Sequence, residues 1–144
     1  MAEQPGDDYV IDTGKGTIKL GDLGALLPGM AEIMPLVGER IWKCYYAGQA
    51  KNRILAAFQL KEAVNLMRKG AVLRPKYHDN IERFIAGKVA VVSRAIEAED
   101  WTAFEDVFSA MVDSANAYHE FYDKGFLRWK VPDTPPPDLD MTPR

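Results

Sequence analysis

His78, His119 and Cys44 are the side chains of this 144-residue sequence best suited to ligate a metal or act as a nucleophile, and they stand far apart along it. A structural zinc site takes four closely grouped nitrogen or sulfur ligands, so this inventory argues against one. A di-iron helical bundle uses Glu-x-x-His on two helices, whereas Pro75 and Asn116 stand three positions before His78 and His119. Arg40 lies one helical turn before Cys44 and would favour a thiolate, yet a cysteine on an apolar helical stripe is ordinarily core. The most suggestive spacing is Ala115-Asn116-Ala117-Tyr118-His119. It has the frame of C-x-x-C-H, in which two thiols tether a porphyrin and the adjacent histidine is an axial iron ligand. Ala115 and Tyr118 hold the thiol positions and form no thioether, so only the histidine of the frame is present. His119 is therefore the candidate cofactor-binding residue, as ligand to a noncovalently held haem or another small molecule. The plainer expectation is that its ring hydrogen-bonds a neighbour at a helix seam.

Other catalytic patterns fail. Gly14-Lys15-Gly16-Thr17 lacks the glycine five positions before the lysine, where Val10 stands, and Gly16 follows the lysine where a phosphate loop needs Ser or Thr. No dinucleotide-binding glycine fingerprint or serine nucleophile elbow is present. With no catalytic residue to name, the chain is expected not to be an enzyme.

Apolar spacing supplies the elements that would position His119. Tyr9–Asp12 and Thr17–Leu20 are β-favouring runs around Thr13-Gly14-Lys15-Gly16 and predict a small hairpin. Beyond Gly24 the pattern is helical. Met30, Ile33, Met34, Val37, Ile41, Cys44 and Tyr45 recur every three or four residues, with Pro28 and Pro35 as a helix start or kink. Asn52 caps a second helix with Ala57, Leu60, Val64, Met67 and Ala71 inward, ending near Gly70 and Pro75. A third begins near Pro75 and turns Tyr77, Ile81, Phe84 or Ile85, Val89, Val92 and Ile96 inward. In the fourth, Asp100 is the N-cap, Trp101, Phe104, Phe108, Met111, Ala115, Tyr118 and Tyr122 form the stripe, and Gly125 ends it. The expected fold is all-α: an antiparallel up-and-down four-helix bundle over residues 24–125. An N-terminal extension with a possible β-hairpin covers 1–23. An extended Pro-rich tail covers 126–144, polyproline-like and either mobile or laid along the bundle.

Composition narrows the partners. A net charge of -3 implies no broad basic surface for a phosphate backbone, so nucleic acid is not expected. No run reaches the roughly 18 apolar residues of a membrane span. The N-terminus has no basic segment followed by an apolar one, which predicts a cytoplasmic protein unless a signal peptide has already been removed.

A four-helix bundle with this frame late in its last helix resembles cytochrome c′, over roughly Leu27 to Lys124. The likeness is to a divergent bacterial branch, with counterparts in Gly38-Glu39-Arg40, Tyr45-Tyr46-Ala47-Gly48, the Asp100, Trp101 and Phe104 pattern, and Gly125-Phe126-Leu127-Arg128-Trp129. The resemblance implies a bundle without covalent haem, repurposed to bind a protein partner or join a larger enzyme complex. A homodimer through a helix face is also expected. The candidate ligand or partner surface gathers Arg40, Trp42, Tyr45, Tyr46, Tyr118, Tyr122, Arg128 and Trp129, because aromatic and arginine side chains supply area with a polar tip. No cofactor is required by this reading; noncovalent haem is the alternative. Met30, Met34, Phe108, Met111 and Val112 would line its pocket.

Overall fold

The computed structural model describes residues 2–144. Strands β1 (Val10–Asp12) and β2 (Thr17–Lys19) pair antiparallel with Ile11 opposite Ile18. The turn between them is closed by the Asp12 carboxylate, which accepts the Gly14 amide at 2.8 Å, and by left-handed glycines at 14 and 16. A short helix α1 (Leu20–Leu26) follows, and none of its residues is buried. The N-terminal segment thus adds nothing to the main core.

The body is built from α2 (Met30–Gln49), α3 (Arg53–Leu73), α4 (His78–Phe84), α5 (Ala90–Glu97) and α6 (Trp101–Phe121). Pro35 lies inside α2 rather than at a start. Asn52 and Asp100 are the caps that their positions predict: their side chains accept the Leu55 and Ala103 amides at 3.1 and 3.0 Å. The third helical stretch is more complex than its periodicity. A 3-10 turn (Pro75–Tyr77) leads into α4, and a π-turn (Ile85–Val89) joins α4 to α5. The π-turn explains why the spacing left Phe84 and Ile85 as alternatives. The extra residue in that turn brings both inside, and Val89, Val92 and Ile96 stay in register with them.

Helix ends also depart from expectation. α6 stops at Phe121, and the residue with left-handed backbone is Asp123 (φ 57°), two positions before Gly125. The Lys124 amide then reaches back to the His119 carbonyl at 2.7 Å. Lys51 and Glu99 do the same after α2 and α5, with the Asn52 and Asp100 amides on the Ala47 and Ala95 carbonyls. Each is a Schellman-type stop with a non-glycine residue in the left-handed position.

Facing residues fix the neighbours. Arg40 of α2 donates to Gln59 of α3 at 3.1 Å, and Met30 packs on Gly70. Arg68 and Arg53 of α3 pair with Glu82 and Glu97 of the third stretch. Phe84 meets Tyr118 edge-on, and Asn80 donates to the Tyr122 hydroxyl at 2.7 Å. Tyr45 of α2 packs on Phe104 and Phe108 of α6. The centre holds Phe104, Phe108, Ile41, Ile96, Met111, Val37, Val92 and Cys44. Gly48 is required there, because a Cβ would overlap the Phe104 ring.

After Phe121 no further helix or strand forms, yet the tail is tied down. Asn116, buried on α6, accepts the Trp129 amide at 2.7 Å and donates to the Trp129 carbonyl at 2.9 Å. Farther along, the Tyr46 hydroxyl donates to the Pro132 carbonyl, Lys43 pairs with Asp138 at 2.7 Å, and Asn52 donates to the Met141 carbonyl. The sequence left open whether this segment moves freely or lies along the helices; it lies along α2, with Val131 and Met141 against the core. No single described helix is long and apolar enough to cross a membrane; only α1 and α2 taken together have the length and composition, across a 44° bend.

Candidate functional site

Three methionines, two tryptophans and a histidine face one cavity of about 780 Å3, bounded by α2, α3, α4, α6 and the tail. Its volume lies within the roughly 300–1,000 Å3 of sites for drug-sized ligands. α2 contributes Met30, Met34 and Trp42, and α3 contributes Met67. Ile81 and Phe84 come from α4, and Ala115, Tyr118 and His119 from α6. The loop after α6 closes the cavity with Lys124 and Phe126 to Trp129. Helical spacing explains the α6 contribution: Ala115, Tyr118 and Tyr122 share one face, and His119 sits beside it.

The His119 ring is held in a defined orientation. Its Nδ1 lies 2.7 Å from the Leu127 carbonyl oxygen. A carbonyl only accepts, so Nδ1 carries a proton and donates it, which leaves Nε2 as the ring position not engaged by this bond. A carbonyl partner of this kind is also what orients metal-ligating histidines. The ring meets Trp129 edge-on at 5.8 Å, and Trp129 in turn meets Trp42 edge-on at 5.3 Å. Asn116 fixes the Trp129 backbone, so the cavity wall made by the tail depends on a residue that the sequence offers only as a filler within the C-x-x-C-H frame.

The residues expected to form one surface divide into two groups. Trp42, Tyr118, Tyr122, Arg128 and Trp129 line the cavity with His119. Arg40, Tyr45 and Tyr46 do not. Arg40 bonds Gln59 and lies 6.0 Å from the Phe58 ring, Tyr45 packs on α6, and Tyr46 bonds the tail. Of the apolar residues expected around a ligand, Met30 and Met34 line the cavity, whereas Phe108, Met111 and Val112 are buried in the core.

Cys44 is fully buried, and desolvation pushes its thiol pKa up to about 12, so it carries no nucleophilic thiolate near neutral pH. Among the described residues no group of three His, Cys, Asp or Glu side chains could hold a metal ion. The chain matches no protein-family model, no curated protein and no solved structure in the comparisons made.

Proposed function

We propose that this chain is a non-catalytic binding protein whose cavity between α2, α4, α6 and the tail holds a small, largely apolar ligand. The observation that carries this reading is the 780 Å3 apolar space with an oriented imidazole in its wall. Its scaffold is a cytochrome c′-like, antiparallel up-and-down four-helix bundle without covalent haem. Supporting that arrangement, Arg40 meets Gln59 while Met30 meets Gly70, and Phe84 meets Tyr118 while Asn80 meets Tyr122. In each pair of neighbours the residue numbers rise on one helix as they fall on the other.

Noncovalent haem fits the residues present. His119 would hold the iron through Nε2, and the three cavity methionines with Trp42 and Phe84 would cover the macrocycle. Ala115 and Tyr118 offer no thiol, so retention would rest on packing and the bond from His119. Bound haem would supply redox and gas-binding chemistry; the protein's part is to orient the His119 ring through the Leu127 carbonyl and keep the pocket apolar. A haemin titration of the wild type and His119→Ala tests this. A saturable Soret band lost in the variant is expected, and featureless titrations of both proteins would remove haem from consideration.

A second reading, association with a protein partner or a second copy, is favoured by the cavity mouth. Phe126 and Leu127, which line it, are 77% and 51% exposed, and Phe121 on α6 is 71% exposed. Large apolar side chains so exposed suit an interface. Sedimentation of the wild type against Phe121→Ser/Phe126→Ser is expected to show any self-association weakened in the variant.

A further inference from the structure

The cavity is charged in one direction only. Its lining contains Lys124 and Arg128 but no Asp or Glu, in a chain that has 21 acidic and 18 basic residues. Among the described residues neither Lys124 nor Arg128 forms an ion pair with a carboxylate. Both are exposed at the mouth, on a loop shaped by the Leu127 amide donating to the Lys124 carbonyl at 2.8 Å. Two unpaired cations at the rim of an apolar cavity attract an anion and leave its apolar part to the interior. Met30, Met34 and Met67 form much of the inner wall from α2 and α3. Unbranched thioether side chains adapt to flexible ligands better than branched ones do.

From these features we infer that the ligand is an amphipathic carboxylate with a flexible hydrocarbon body, its chain among the methionines and its head group on Lys124 and Arg128. The inference rests on the cavity reading given above. The two cations differ in what they offer: Arg128 has the planar fork that takes a carboxylate through two parallel bonds, whereas Lys124 acts as a compact charge.

The test uses the full chain and a neutral dye. Saturable binding of Nile red establishes the cavity, and competition by dodecanoate and by dodecanol, equal in chain length, then isolates the head group. Dodecanoate is expected to displace the dye about tenfold more effectively, with the advantage shrinking as salt screens the rim. The ratio should fall to near one in Lys124→Ala/Arg128→Ala and return in Lys124→Arg/Arg128→Lys. Equal potency of the two competitors on the wild type would overturn the inference while leaving the cavity standing. A preference that survives the alanine pair would overturn the assignment to these cations. No saturable dye binding would overturn the cavity reading and this inference with it.

Discussion

Asn116 joins the last helix to a segment thirteen residues later through both of its amide atoms, and the cavity wall hangs on that joint. Asn116→Leu keeps a side chain of similar length but leaves the Trp129 amide and carbonyl without partners. We expect a loss of about 1–3 kcal/mol in urea unfolding followed by tryptophan fluorescence. Sequence inspection finds His119 because histidine is rare and chemically distinctive. It misses Asn116 because a bidentate bond to a distant backbone leaves no local pattern. Cys44 behaves in the opposite sense, since its place on the α2 stripe already marks it as core, and it is fully buried. Its thiol pKa is raised from 9.0 to about 12 in the folded state, so the folded protein holds that proton more tightly than the unfolded chain. The resulting stability is fully present below pH 9 and is lost as pH rises toward 12. Disulfide-exchange reagents at neutral pH should therefore label Cys44 only after denaturation.

Left-handed residues at helix ends give the element scale its clearest test. Glu99 and Asp123 adopt φ of 52° and 57° and carry side chains that glycine would relieve of strain. The strain removed is about 1 kcal/mol or more, partly offset by the greater freedom of glycine in the unfolded chain. Glu99→Gly and Asp123→Gly should each stabilise the fold by roughly 0.5–1 kcal/mol, seen as a higher Tm. Gly48→Ala has the opposite sign, because the new methyl collides with Phe104, and a cost of about 1–3 kcal/mol is expected. Phe108→Ala, at the centre of the core, should cost about 3–5 kcal/mol. The helices themselves were legible wherever a cap and a regular 3,4 stripe coincided, as at Asp100 with Phe104, Phe108 and Met111. Their interruptions were not. A π-turn changes the period for five residues, too few to stand out against an ordinary helical stripe, and Gly125 drew attention from Asp123, where the backbone turns.

At the scale of the molecule, the tail is held to α2 by charge as well as by hydrogen bonds. Lys43 is 7% exposed and bonds both Glu39 and Asp138. The Asp138 hydrogen bond, then that of Glu39, raises the Lys43 pKa, and Lys43 lowers that of Asp138. The Asp138 contribution is present above the ordinary carboxylate pKa of about 4 and fades as pH falls through its lower folded value; the Lys43 contribution is present below about 10.4 and fades as pH rises through its higher folded value. Release of the tail is thus expected at both extremes, while far-ultraviolet dichroism of the helices persists beyond the change in Trp129 fluorescence. The overall helical class could be read from apolar periodicity, but the course of the tail could not, because its anchors at Tyr46, Lys43 and Asn52 belong to distant positions. Those anchors also order events in time. Lys43 and Asp138 are 95 residues apart, and Asn52 and Met141 are 89 apart, whereas the contacts within and between successive helices are much more local. Local contacts form early and distant ones late. A nascent chain will therefore join Trp129 to Asn116, 13 residues away, soon after α6 forms, and will fasten the far tail to Lys43 and Asn52 last.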